Sequence, residues 1–189
     1  MIPQLQAAVE IQTFCKERGW PFCLIGAMAV LRWGEPRVTQ DVDATLLTDF
    51  GNEESYIQDL IRCFQSRIPD AMEFALKNRV LLLRSSNGID IDISLGALPF
   101  EQKLIQRSTP FSFAQDANLI TCSAEDLIVL KAFASRSKDW MDIEGIIIRQ
   151  LGQLDWKYIF DNLTPLSELK NSPEIIHQLS KLRVKLEKS

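Results

Sequence analysis

Two short segments constrain the fold of this chain more than any others: "DVDATLL", from Asp41 to Leu47, and "IDIDISLG", from Ile89 to Gly96. In the second, Ile89, Ile91 and Ile93 fall on one side and Asp90 and Asp92 on the other. That period of two belongs to a β-strand with one apolar face. In the first, Asp41 and Asp43 stand two apart and share a face by the same rule. Like charges held that close repel unless something cationic lies between them. At about 4 Å and an effective dielectric of roughly 20, the repulsion is about 4 kcal/mol, the upper end for a solvated cleft. The plain alternative is an acidic strand edge that discourages aggregation.

The pattern around these strands predicts an α+β fold, with a small mixed sheet flanked by helices and a helical C-terminal part. A helix is expected over Leu5–Arg18, stopped by Gly19, followed by a buried strand in "WPFCLIG". "AMAVLRW" reads as a short helix ending at Gly34. A further helix is expected from Glu53 to Ser66, with Ile57, Leu60, Ile61 and Phe64 on one face. "RVLLLRSS" and "IDIDISLG" flank Asn87-Gly88, a hairpin signal. "PFEQKLIQR" looks helical and "FSFAQDANLITC" returns to strands. Ser123 and Asp126 form a capping-box-like start for "AEDLIVLKAFASRS". "WMDIEGIIIRQLG" is the next helix, and two more complete the C-terminus, the last beginning at Ser172-Pro173. Residues 1–122 are expected to form the α/β core, with 123–189 a helical part packed on it as one continuous unit.

Composition narrows the function. The formal net charge is −4, which argues against a broad basic grip on nucleic acid. Cys15, Cys23, Cys63 and Cys122 show no C-x-x-C spacing, and the one histidine, His177, lies far from them. A zinc site is therefore not expected, and the cysteines read as small buried hydrophobes in a reducing, cytoplasmic setting. No signal peptide or membrane span is expected.

The acidic strands suggest a specific chemistry. If "IDIDISLG" lies beside "DVDATLL", a third carboxylate joins Asp41 and Asp43. Three such groups suit a hard cation, Mg²⁺ or Mn²⁺, which takes its remaining ligands from water and phosphate oxygens. Gly26-Ala27, where a strand meets a short helix, would let backbone N–H groups approach a phosphate.

"GAMAVLRWGEPRVTQDVD" resembles the signature of the nucleotidyltransferase superfamily, the DNA-polymerase-β-like fold, and more closely its minimal and AbiEii-like branch. Ala27 stands where that signature usually has a second glycine or a serine. Downstream, "SAEDLIVLKAFASRSKDWMDI" is similar to an AbiEii-like stretch with a lysine and a following aspartate, here Lys131 and Asp139. The resemblance spans Phe22 to Ile143. It implies an NTP substrate, metal held by Asp41, Asp43 and Asp92, and an RNA or protein acceptor. It also admits a cognate partner protein, as in a toxin–antitoxin pair.

Asp90 and Asp92 share a face, and the resemblance of "DISLG" to the family's apolar-Asp-apolar stretch before a small turn favours Asp92 as third carboxylate. Lys131 is read as a phosphate ligand, on a face shared with Ser135 and Asp139 if the helix continues. The alternative is a solvated polar stripe. Asp139 would orient the acceptor or pair with Lys131. Arg37 either grips a triphosphate or forms a structural ion pair, and Thr39 caps or braces its loop. Arg136 and Lys138 could rim an acceptor site. His177 reads as a surface residue, and Trp20, Trp33, Trp140 and Trp156 as core. A rival class is a non-catalytic nucleotide-binding or protein-interaction module on the same fold.

Overall fold

Alternation turns into sheet as expected: Val42, Ala44 and Leu46, with Ile91, Ile93 and Leu95, are all buried, while the aspartates between them are not. The computed structural model describes residues 2–187. Among these, β2 (Asp41–Leu47) runs parallel to β5 (Asp90–Gly96) and antiparallel to β1 (Phe22–Leu24). Beyond β5 come β4 (Val80–Arg84) and the two-residue β3 (Gln65–Ser66), both antiparallel steps. Beyond β1 come β7 (Ala117–Thr121), parallel, and β6 (Thr109–Ala114). The mixed sheet has seven strands in the order β3-β4-β5-β2-β1-β7-β6.

Nine helices accompany the sheet among the described residues, making the fold mixed α/β. The chain divides into two compact units. One comprises the residues up to Met28 together with Val38–Cys122; the other comprises Ala29–Arg37 and the residues from Ser123 onward. All seven strands lie in the first. There, α1 (Pro3–Glu17) packs on β1, β2 and β7, α5 (Pro99–Gln106) on β2, and α4 (Ala71–Asn78) on β4. Gly19 stops α1 at φ +65°, a conformation glycine adopts without a side-chain clash. The second unit is helical, built around α6 (Ala124–Ala134), α7 (Ser137–Arg149), α8 (Trp156–Leu169) and α9 (Glu174–Glu187).

Three element expectations need correction. Helix α3 spans Glu53–Cys63 rather than reaching Ser66, because Phe64 is already extended and Gln65–Ser66 pair with β4. Helix α4 was not anticipated. Helix α6 does not run through "ASRS": Ser135 turns left-handed at φ +58° and caps it, its N–H donating to Lys131 O at 2.9 Å. Asp139 therefore belongs to the first turn of α7. The Ser123 cap is as expected, its Oγ accepting the Asp126 N–H at 3.1 Å. The four tryptophans are half-buried rather than core. His177 is exposed, and Cys15, Cys23 and Cys122 are buried as expected, but Cys63, the last residue of α3, is exposed rather than buried. No helix is long and apolar enough to cross a membrane.

Candidate active site

The parallel register of β2 and β5 places Asp43 opposite Asp92 and Asp41 opposite Asp90. Their backbone neighbours Val42 and Ile91 point the other way and are fully buried. Four aspartates thus share one face of two adjacent strands. This is the juxtaposition expected from alternation, with the order of the strands now supplied by the fold.

Gly26 abuts this face. The Ile25 N–H donates to Asp43 O at 2.9 Å, which carries the chain from β1 into α2 (Gly26–Trp33) alongside β2. A Cβ on Gly26 would lie 1.9 Å from Asp43 Oδ2, and Gly26 has φ +54°. Both facts demand glycine. The sequence places the glycine here for phosphate approach; in the structure, the space a side chain would take is filled by the Asp43 carboxylate. Ala27 follows, buried at the first turn of α2. Thr39 braces the site: its hydroxyl donates to Asp41 Oδ1 at 2.8 Å, and its carbonyl accepts from Gln4 Nε2 at 2.9 Å.

The cations on this face are arginines that sequence reasoning did not single out. Arg67 Nη1 pairs with Asp92 Oδ1, and its Nε lies 3.4 Å from Asp90 Oδ2. Arg84 Nε bonds Asp90 Oδ1 at 2.9 Å. Arg84 could have been found from the sequence, since it sits opposite Asp90 in the hairpin. Arg67 could not, because it reaches β5 only once β3 is known to lie beside β4.

Among the described residues, no three acidic, histidine or cysteine side chains converge into a preformed metal cage. The donor chemistry nevertheless suits a hard cation. Asp41 and Asp43 offer carboxylate oxygens from one strand face, and a guanidinium already occupies Asp92 where a third ligand would act. Asp41, Asp43 and Asp92 are the residues that would hold Mg²⁺ or Mn²⁺.

Lys131 and Asp139 meet in the second unit, in a network that includes an unanticipated member, Asp142. Lys131 Nζ lies 2.6 Å from Asp142 Oδ2 and 3.5 Å from Asp139 Oδ1, and its side chain is only 6% exposed. Arg37 grips Asp142 with both arms of its fork, at 2.9 and 3.1 Å. Arg136 does the same to Asp139, at 2.6 and 3.2 Å, and the Arg136 N–H adds a third bond at 3.2 Å. Burial would raise both aspartates, but it is outweighed. Arg136 and Lys131 hold Asp139 below the usual carboxylate range, and Arg37 and Lys131 do so for Asp142. A sequence signal for Asp142 existed: Asp139, Asp142, Ile143 and Ile146 mark one helical stripe, and all are buried. Lys138 is exposed, as is most of Arg136.

The mixed seven-stranded sheet with its flanking helices is a fold seen among nucleotidyltransferase-like proteins. Solved structures share it. An antigenic nucleotidyltransferase-like protein from Paracoccidioides brasiliensis is similar with a TM-score of 0.56 at 17% identity, over 98% of this chain and 94% of that one. The lincosamide antibiotic adenylyltransferase LnuA, lincomycin-bound, is similar with a TM-score of 0.51 at 14% identity, over 75% and 94%. At these identities the likeness is one of fold. No protein-family model matches the chain, and no curated protein does.

Proposed function

We propose that this protein is a metal-dependent nucleotidyltransferase that moves a nucleoside monophosphate from an NTP to an acceptor hydroxyl. The observation that carries the reading is the contact of Gly26 with Asp43, in register with Asp92. A glycine with no room for a methyl group, placed at a D-x-D strand, supports a site built around those carboxylates. Asp41 and Asp43 would hold Mg²⁺ or Mn²⁺ with the triphosphate, and Thr39 keeps Asp41 oriented. The N–H groups following Gly26 and Ala27 would face the phosphates. A cation held there would supply charge neutralisation for an in-line displacement. Asp92 would ligate the metal and help activate the acceptor hydroxyl, taking its proton as the hydroxyl oxygen bonds the α-phosphorus and the bond to the pyrophosphate oxygen breaks. Positioning and charge neutralisation account for most of the rate.

The resemblance of "SAEDLIVLKAFASRSKDWMDI" to the AbiEii-like pattern supports including Lys131 and Asp139 in this proposal, with Arg37 beside them. Because their charges are already paired, an added phosphate competes with Asp142 and Asp139 for Lys131 and Arg37. An RNA or protein acceptor, a cognate partner as in a toxin–antitoxin pair, and a cytoplasmic setting belong to the same proposal. The LnuA likeness adds hydroxylated small molecules such as lincosamides to the acceptors to be tried.

One observation favours the rival reading, a nucleotide-binding module without turnover: Arg67 occupies Asp92. Incubation with each labelled NTP, Mg²⁺ and a panel of RNA, protein and small-molecule acceptors separates the two. Label transfer with pyrophosphate release supports the enzyme. Metal-dependent NTP binding without transfer to any acceptor supports the module.

A further inference from the structure

The acidic face carries its own counter-ions, and their arrangement is uneven. The Arg67 N–H donates to Leu82 O at 3.1 Å, and Leu82 is the β4 partner of Asp92. Arg67, Leu82, Asp92 and Asp43 therefore form one row across four chain segments. Arg84, Asp90 and Asp41 form the next row. Arg67 spans the two rows: one nitrogen is on Asp92 and another lies 3.4 Å from Asp90. Arg84 stays in its own row, on Asp90 alone among these aspartates. Arg67 also follows a strand of only two residues at the sheet edge, and its side chain remains 23% exposed.

We infer that Arg67 is the exchangeable counter-ion of Asp92, and that Asp90 is the carboxylate that takes it over when Asp92 becomes a metal ligand. This rests on the nucleotidyltransferase reading above. A guanidinium and a divalent cation compete for the same carboxylate oxygens and repel each other, so Asp92 serves one at a time. Asp90 is already within reach of the same guanidinium, so the exchange requires a side-chain shift and no change in the sheet. Asp90 and Asp92 thus have different roles despite sharing a face and a sequence pattern. Arg67 and Asp90 are positioning residues that set how tightly Asp92 takes a metal.

The test is Mn²⁺ affinity, read from the electron paramagnetic resonance of free Mn²⁺ with and without ATP. It is measured on the full chain as wild type, Arg67→Gln, Asp90→Asn and the double variant, alongside thermal melts. Arg67→Gln is expected to tighten Mn²⁺ binding about fivefold, the scale of a partly exposed ion pair. Asp90→Asn is expected to weaken it, because Arg67 then has only Asp92 to hold. In the double variant the effect of Asp90→Asn should largely vanish, because there is no guanidinium left to hold. A purely electrostatic role gives the same Asp90→Asn effect in both backgrounds, which would overturn the exchange. Unchanged Mn²⁺ affinity in Arg67→Gln, with normal metal and nucleotide binding in the wild type, overturns it and leaves the enzyme reading intact. Absence of Mn²⁺ binding in all four proteins, even with ATP, overturns both. If Arg67→Gln melts early, Arg67→Lys, which keeps the charge without the fork, should give an intermediate affinity.

Discussion

At the scale of single residues, Gly26 and Asp43 carry the most information. Gly26→Ala introduces a methyl group into the space of the Asp43 carboxylate, at a backbone angle alanine resists. The expected cost is about 2 kcal/mol or more, measured by urea unfolding, with loss of nucleotide binding. The same substitution at Gly19, also at positive φ but with nothing within 4 Å of its Cβ, should cost about 1 kcal/mol and spare binding. Asp41, Asp43 and Gly26 were legible because alternation and a small residue at a strand end are local signals. Asp142 was passed over because its meaning is tertiary: a carboxylate on a buried stripe must find cations, and those come from Arg37 and Lys131, over a hundred residues and eleven residues away.

At the scale of elements, the Lys131 network joins α6 to α7 and behaves as a unit. Lys131→Met would leave Asp142 and Asp139 buried with one cation fewer, and breaking a buried pair from one side typically costs about 3 kcal/mol or more. Arg136→Gln should cost less, because solvent screens a guanidinium 63% exposed and Lys131 and the Arg136 N–H still hold Asp139. Urea titrations of both variants check the contrast. The pH dependence follows from the same pairs. Asp139 and Asp142 are held below their unfolded values. Their contribution is therefore complete above the unfolded carboxylate pKa, about 3.9, and is lost as pH falls through the lower folded values. Stability measured from pH 6 down to pH 2 should fall less steeply in Asp142→Asn than in wild type. The break between α6 and α7 escaped sequence reasoning because serine gives no left-handed signal as clear as glycine's. The strand Gln65–Ser66 escaped it because Phe64 continues the helical apolar stripe of Ile57, Leu60 and Ile61 while the backbone has already turned extended.

At the scale of the whole molecule, the fold class could be read from the sequence, but the strand order could not. Alternation shows that β2 and β5 are strands; only the tertiary structure makes them parallel neighbours and sets Asp43 beside Asp92. The order also brings Arg67 to a carboxylate 25 residues away. On the proposed reading the acidic face would take up divalent cations to bind an anionic nucleotide, in keeping with a formal net charge of −4. Nucleotide binding should therefore require divalent metal, and this can be tested in one experiment. Wild type and Asp43→Asn are melted with neither ligand, with Mg²⁺ alone, and with Mg²⁺ and each NTP. The wild type is expected to rise by several degrees with Mg²⁺ and its preferred NTP. Asp43→Asn should remain folded without ligand and should show no rise with ligand. A variant that melts several degrees lower on its own, yet keeps the full ligand-induced rise, would show that Asp43 is a structural aspartate and not part of a metal–nucleotide site.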